Sequence, residues 1–541
     1  METLSATQNN ESLLVLSFLF IFARLFELQI IKGDYFKKLS EGNRIRKVRI
    51  TAPRGKVYAR GGEVLIGNKE VQKKIEFLED GEIVKTDAFN KDENDILITE
   101  YERTYSLKEA FLHVGGYVSE ANENEVGKIN PKCSEKGAVK LGSLVGRGGL
   151  ESIYECELSG IDGEELIEVD TKGRKVRVLG IKEPVAGKDI KTSIDFELQK
   201  ELPVLMEDKK GAIVVSDSKG QVNALYSNPS FDPNFFGKRE YFGQINQALN
   251  SEDLPLFNRA IGGLYHPGSV FKPVVTIAAL SEGKIDEDYT YEDKGVITVN
   301  EYSYANWYFN QYGRTEGEIG IKKAIARSTD TFFYKIGEYL GPDYIAYWAK
   351  KFGLGKTTNI DLPGEIQGLI PSPSWKYETK GEQWFLGNTY HISIGQGDLS
   401  VTPVEMNAAT SVISNGGKLC SLNVKKQKSD SNCEDLKIDS NYLNIVKEGM
   451  IDACSTGGTG YTFFDFEPKV ACKTGTAETN VDGKTHAWFT VFAPHDFADI
   501  VVTVLVEGGG EGSKIAGPIA RDIFDFWFHR PDYEAKKTII K

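Results

Sequence analysis

Three hydrophobic patterns follow one another along the chain. The first is a single uninterrupted apolar run from Ser12 to Ala23. It falls short of the roughly 20 residues that span a bilayer, but continuation through Leu25, Phe26, Leu28, Ile30 and Ile31 supplies the length, with Arg24 and Glu27 inside it. The pattern predicts a transmembrane anchor over residues 12–31 behind an N-terminal tail of residues 1–11. A signal-peptide core and a buried core helix are the competing readings, and no small-x-small cleavage site follows that would favour the former. The second pattern, over residues 32–189, is mixed. The turn-rich Ala52-Pro53-Arg54-Gly55 leads into short strand-like runs (Glu82–Val84, Asp95–Ile98) and helical pieces (Leu107–His113, Leu150–Leu158). Nothing in it looks catalytic, and Pro184–Lys188 reads as a linker.

The third pattern, over residues 190–541, opens with two β runs, Gly211–Ser216 and Val222–Ser227, joined by Lys219-Gly220 as in a hairpin. Helical runs fill its middle (Val274–Leu280, Ile321–Ala326, Tyr344–Lys351). Three more strand-like runs follow (Lys469–Thr476, Ala487–Ala493, Ile500–Glu507), then a helix over Ala516–Phe528. Strands at both ends with helices between them predict an antiparallel sheet with segregated helices, an α+β fold.

Composition changes this picture little. At 541 residues the chain is too long for one hydrophobic core, and 40% hydrophobic with 26% charged residues is ordinary globular usage. A net charge of −13 argues against a nucleic-acid partner. Six cysteines are too few for a disulfide scaffold but fit an oxidising compartment. The charges beside the apolar run are awkward. Residues 1–11 carry Glu2 and Glu11 and no Lys or Arg, whereas residues 32–49 carry Lys32, Lys37, Lys38, Arg44, Arg46, Lys47 and Arg49. The positive-inside rule alone would put the long C-terminal part in the cytoplasm, a rule that weakens for long translocated domains. One reading is that the start is atypical or lacks basic residues upstream.

The chemistry lies in three motifs. Ser-x-x-Lys occurs three times, at Ser216/Lys219, Ser269/Lys272 and Ser281/Lys284, and only Ser269 follows His266-Pro267-Gly268 and precedes a long apolar helix. At a helix start, Ser269 and Lys272 share a face one turn apart, and free backbone N–H groups favour an oxyanion. A serine hydroxyl needs a base, and a lysine screened from water has the lowered pKa for that task. Ser328-Thr329-Asp330 sits between two helical runs, and read alone it is an N-cap sequence. Lys473-Thr474-Gly475-Thr476 is the one Lys-Thr-Gly in the chain. A strand of this composition suits a peptide laid alongside it, with Lys473, Thr474 and Thr476 holding a terminal carboxylate and Gly475 permitting close approach. No Gly-x-Ser-x-Gly, His-Glu-x-x-His, Cys-x-x-Cys or phosphate loop is found, so no metal, nucleotide or other cofactor is expected.

This trio, in this order, resembles that of the class B penicillin-binding proteins. Supporting segments are Ala52-Pro53-Arg54-Gly55, Gly149-Leu150-Glu151, Asn258-Arg259-Ala260, Ile394-Gly395-Gln396-Gly397 and His486-Ala487-Trp488-Phe489. The resemblance implies a penicillin-binding, serine β-lactamase-like transpeptidase domain over residues 190–541. It implies an elongated pedestal (dimerisation) domain over residues 32–189 and a single-pass anchor in the bacterial cell membrane, with the catalytic domain outside. It implies a peptidoglycan D,D-transpeptidase in which Ser269 is the nucleophile, Lys272 the base, and Ser328 and Lys473 the proton relay. Asp330, Thr474, Gly475 and Thr476 would bind substrate, and the N–H groups of Ser269 and Thr476 would form the oxyanion hole. The implied partners are donor and acceptor stem peptides, β-lactams and a polytopic glycan polymerase. Asp330, where the family usually has Asn, resembles the elongation-type members. His266 and Val270 stand where relatives usually have Pro and Thr, either altering β-lactam affinity or serving ordinary packing. Disulfides pairing Cys420 with Cys433 and Cys454 with Cys472 are a further expectation.

Two other function classes compete. A hydrolase using water as acceptor would need a deacylating Glu that is not recognisable here. A non-catalytic β-lactam sensor, or a scaffold activating a glycan polymerase, would be expected to have lost some of the catalytic residues, all of which are present.

Overall fold

A computed structural model describes residues 2–77, 83–87, 95–170, 173–427, 433–479, 481, 483–496 and 498–530. The N-terminal apolar run forms one helix, Glu2–Phe26, continued by a wider π-helical turn, Glu27–Ile31. Within it, Leu13–Ile31 is long and apolar enough to cross a membrane.

The chain divides into two compact units. The smaller comprises residues 1–55, 68–102 and 159–188, the larger residues 56–67, 103–158 and 189–541. In the smaller unit, strand Ile45–Ile50 pairs antiparallel with Gly163–Val169, which pairs antiparallel with Lys175–Lys182. Its modest core is Val48, Ile75, Ile96, Ile167 and Val169. Glu82 lies outside the described residues. The strand near it is Ile83–Asp87, and the one expected at Asp95–Ile98 runs on to Tyr105 as Ile96–Tyr105.

The larger unit is organised around a five-stranded antiparallel sheet. Its strands are β1 (Gly211–Ser216), β2 (Val222–Asn228), β3 (Ala471–Glu478), β4 (Thr485–Ala493) and β5 (Ile500–Val506), in spatial order β2-β1-β5-β4-β3. Every residue of β1 and β5 is buried, because helices cover both faces of the sheet. This is why both strands read as continuous apolar runs rather than alternating ones. On one face, Phe489, Val491, Val502 and Val504 pack with Ile519, Ile523 and Phe524 of the C-terminal helix Gly512–Phe528. On the other, Trp488, Phe492, Val501 and Leu505 join a helical core that includes Phe271, Phe332, Phe333 and Ile336. Strand β3 closes one side of the sheet as an edge. The fold is therefore the α+β arrangement expected, with the sheet antiparallel throughout.

Two helical pieces differ from expectation. Leu107–His113 is a 3-10 turn, Lys108–Phe111, followed by a single helical turn, Leu112–Gly115, that stops at Gly116 with φ +73°. Leu150–Leu158 is broken into Gly149–Ile153 and Glu155–Leu158 at Tyr154, whose φ/ψ of −104°/24° leave the helical region. All six cysteines are paired, as Cys420–Cys433, Cys454–Cys472 and Cys133–Cys156.

Candidate active site

The three motifs converge in the larger unit. Gly268–Phe271 is a 3-10 turn that runs into helix α1 (Lys272–Ser281), whose residues from Lys272 to Leu280 are all buried. Gly268 makes the turn possible: its φ is +58°, and a Cβ there would stand 2.9 Å from the Thr476 carbonyl. Its N–H donates to Gly395 O (2.8 Å), so the segment around Gly395-Gln396 braces the turn that carries Ser269. Ser269 is partly exposed, and among the described residues its hydroxyl has no hydrogen-bond partner.

Lys272 is completely buried, with the Phe333 ring 5.0 Å from its Nζ. Its ammonium donates to Asp330 Oδ1 (2.7 Å), Ser328 O (2.8 Å) and Ser328 Oγ (3.1 Å). Ser328 caps helix α2 (Ile321–Arg327) in the left-handed region, φ +56° and ψ 40°. That conformation is unusual for a non-glycine residue, and it turns both Ser328 oxygens towards Lys272. Helix α3 (Asp330–Leu340) starts two residues later, with Thr329 rather than Ser328 as its N-cap. Asp330 faces inward: Oδ1 meets Lys272 while Oδ2 accepts from Trp307 N (3.0 Å), and its own N–H donates to Asn306 Oδ1 (3.2 Å). Its carboxylate is thus occupied by Lys272 and the backbone.

Lys473 is also completely buried and donates to Ser328 Oγ (2.9 Å) and Thr474 O (3.0 Å). Burial pushes both ammonium groups down from their ordinary lysine value. For Lys272 the loss of solvation is opposed by Asp330; for Lys473 it is reinforced by the nearby Lys272, and the shift is large. The opposite face of β3 presents two hydroxyls. Thr474 Oγ1 bonds to Thr459 Oγ1 (2.9 Å), and exposed Thr476 Oγ1 accepts from Gly512 N (3.3 Å) at the start of the C-terminal helix. Gly475 is glycine for a packing reason. A Cβ there would lie 2.9 Å from Trp488 Cβ, 3.0 Å from Val270 Cγ1 and 3.1 Å from Pro267 O, so its absence lets the strand close on the turn that carries Ser269. A side chain stands off the face of a sheet, not in the plane where an added peptide would pair.

The sequence motifs therefore meet, but several groups that complete the site carry no motif. Asn306 and Trp307 hold Asp330, and Thr459 meets Thr474. The other two Ser-x-x-Lys matches lie elsewhere. Ser216 Oγ bonds to Asn407 Oδ1 (2.6 Å) inside the sheet's support, and Ser281 ends α1. Val270 is buried, and His266 bonds Leu399 O through Nδ1 (2.6 Å).

The chain is similar to known proteins over most of its length. Residues 211–525 fit the penicillin-binding protein transpeptidase domain and residues 95–192 the penicillin-binding protein dimerisation domain. The peptidoglycan D,D-transpeptidase MrdA of Haemophilus influenzae is 30% identical, the alignment covering 94% of this chain and 89% of the relative. A solved complex between penicillin-binding protein PBP2 and MreC from Helicobacter pylori contains a chain with TM-score 0.77 and 25% identity, over 89% of this chain and 98% of that one. A chain from a peptidoglycan synthase complex, described as coordinating polymerization and crosslinking, gives TM-score 0.77 and 27% identity over 97% of this chain and 98% of its own. With a transpeptidase domain spanning more than half its length, a dimerisation domain before it and relatives aligned nearly end to end, the chain belongs to the class B penicillin-binding proteins.

Proposed function

We infer that this chain is the peptidoglycan D,D-transpeptidase of wall elongation, cross-linking stem peptides through an ester on Ser269. The observation that carries the reading is the convergence of two buried lysines on one hydroxyl, Ser328 Oγ, the first of them, Lys272, one turn of chain after a partly exposed serine at a helix start. Two ammonium groups sharing one dry site repel, and among the described residues only Lys272 of the two has a carboxylate partner. In the resting site the proton therefore sits on Lys272 and Lys473 is neutral.

When substrate enters, a proton passes from Lys272 to Ser328 Oγ as the Ser328 proton moves to Lys473. Lys272 is then a neutral base. It takes the Ser269 proton as Oγ attacks the penultimate D-alanyl carbonyl, and the oxyanion is held by the N–H groups of Ser269 and Thr476. Collapse breaks the C–N bond, and Lys473 returns a proton through Ser328 to the departing D-alanine amine. An amine from a neighbouring stem peptide attacks the acyl-enzyme, restores Ser269 and completes the cross-link. Thr474 and Thr476 bind the terminal carboxylate, Gly475 lets their strand seat against the nucleophile, and Asp330 positions Lys272. β-Lactams acylate the same serine and stay.

Residues 12–31 anchor the chain in the membrane, residues 32–189 form the pedestal and residues 190–541 the catalytic domain, which works outside the cell membrane, where its substrate is. Three disulfides suit that compartment. The similar chain from a peptidoglycan synthase complex that coordinates polymerization and crosslinking supports a polytopic glycan polymerase as membrane partner, and the one solved with MreC supports a further protein partner of that kind.

The test supplies the purified full chain with uncross-linked glycan bearing pentapeptide stems. Cross-linked product and free D-alanine in equal amounts, both lost in Ser269→Ala, are expected. Free D-alanine without cross-links would make it a carboxypeptidase, and neither product would favour a scaffold.

A further inference from the structure

Edge strand β3 continues past the third motif. Its exposed positions alternate, Thr476 and then Glu478, so Glu478 stands on the same face two positions further along. Among the described residues the Glu478 carboxylate has neither an ion-pair nor a hydrogen-bond partner. A cluster of rings adjoins this end of the strand. Tyr334 lies one turn along α3 from Asp330, and the Tyr304 ring meets it edge to face at 5.8 Å and meets His391 at 5.9 Å. Gln396 N donates to His391 O (2.8 Å) and Gln396 Nε2 to Thr476 O (3.4 Å), which ties His391 to β3 two residues before Glu478. Burial lowers the His391 imidazole, and Glu478 opposes that. Burial pushes the Tyr334 phenol up, with Asp330 and then Glu478 adding to the rise, so the Glu478 charge reaches both rings.

The transpeptidase reading sets the direction of the donor peptide on this strand. Its terminal carboxylate lies at Thr474 and Thr476 and its penultimate carbonyl at the Thr476 N–H, so the residues before that carbonyl run on towards Glu478. Each residue of an extended peptide advances about 3.4 Å, which puts Glu478 about 7 Å beyond Thr476. The residue before the penultimate D-alanine covers half of that, and a long side chain covers the rest. A stem joined to the glycan through its N-terminus can offer an attacking amine only from a side chain. Donor and acceptor are stems of one kind, so the donor carries that ammonium as well. A carboxylate without a counter-ion, beside tyrosine and imidazole rings, is the chemistry that takes an ammonium.

We propose that Glu478, with the rings of Tyr304, Tyr334 and His391 beside it, is a specificity-determining residue that binds the side-chain ammonium of the donor stem, on the residue before the penultimate D-alanine. This rests on the transpeptidase reading above and adds what the donor must carry besides its D-alanyl end.

The test compares two thioester donors in the full chain, Nα-acetyl-L-lysyl-D-alanyl-D-thiolactate and the same compound acetylated on Nε. Attack by Ser269 Oγ forms the ester, breaks the C–S bond and releases the thiol, whose appearance gives kcat/KM. A benzylpenicillin adduct on wild-type Ser269 is the control for the underlying reading, and its failure would overturn that reading and this inference together. Given that adduct, the wild type should favour the free-amine donor about fivefold, as for an exposed ion pair shared with aromatic faces. Glu478→Gln should abolish the preference and leave the acetylated donor within about twofold. Glu478→Asp should keep part of it, and Glu478→Lys should reverse it. No preference in the wild type, or an equal loss on both donors in Glu478→Gln, would overturn this inference and leave the transpeptidase reading standing. So would a Glu478→Gln chain that spares both donors and slows only transfer to an added amine, since the carboxylate would then serve the acceptor.

Discussion

The helix start and the edge strand each contribute a lysine to the same serine, and the two lysines are not equivalent. Lys272 and Lys473 are both fully buried, and both donate to Ser328 Oγ, at 3.1 and 2.9 Å. Lys272 lies among side chains that hold a cation: Asp330 at 2.7 Å and the face of Phe333. Lys473 has a hydroxyl and a carbonyl but, among the described residues, no carboxylate hydrogen-bonded to it. The same residue type under the same burial is thus shifted unequally: Asp330 opposes the lowering at Lys272 through a direct ion pair, whereas the lowering at Lys473 is deepened by Lys272. Acid and base roles are assigned here by neighbours, as they are wherever two titratable groups share a dry site.

The comparison can be broken most severely by removing the lysines themselves. Lys272→Met should slow Ser269 acylation by about 10³-fold, within the range for losing a general base, when followed with a fluorescent penicillin. Lys473→Met should slow it by about 10²-fold. The two variants should differ in stability. Removing Lys473 relieves a buried amine that has no anion beside it, so thermal unfolding should move to higher temperature. Removing Lys272 strands Asp330 in a buried site, so unfolding should move lower. Equal shifts in both would abolish the distinction.

A smaller effect sharpens it. Asp330 raises the Lys272 pKa against the lowering due to burial. It raises Lys473 as well, and a second proton taken up by the pair would leave Lys473 unable to receive the one that frees Lys272, so acylation should fall as pH drops through that second protonation. Asp330→Asn removes the raising influence, and the acid limb of the pH–rate profile should move to lower pH, with a rate loss of about tenfold from misplacing the amine. An acid limb that moves upward, or stays fixed, would mean that Asp330 does not set the proton affinity of the lysine pair. The smallest effect is the control: Ser216→Ala deletes a Ser-x-x-Lys serine whose hydroxyl serves Asn407. It should cost about 1 kcal/mol of stability and leave labelling unchanged.

What could be read in the sequence was local. Strands β1 and β5 announce themselves as apolar runs because both their faces are covered, and Ser269 with Lys272 is a one-turn relationship that spacing alone encodes. Strand Ile96–Tyr105 was legible only at its start, since its later residues, from Thr99 to Thr104, are largely polar and, buried Arg103 apart, only half-buried. The short helices near residues 107–115 and 149–158 have helical composition, but Gly116 and the Tyr154 backbone break them. The site residues outside the motifs were not legible for a different reason. Asn306, Trp307 and Thr459 lie 24, 23 and 15 residues from the groups they touch, and only the fold brings them there. The Cys133–Cys156 pair and the recruitment of residues 56–67 and 103–158 into the larger unit are likewise products of tertiary contact.

The central claim is a serine acyl-enzyme on Ser269 activated by this lysine pair. The measurement that reaches it most directly is intact-mass analysis over hours after labelling with a fluorescent penicillin, wild type beside Ser269→Ala. The account predicts one long-lived adduct on the wild type, localised to Ser269 and missing from the variant. An adduct that survives Ser269→Ala, or no adduct on a folded wild type, would contradict it.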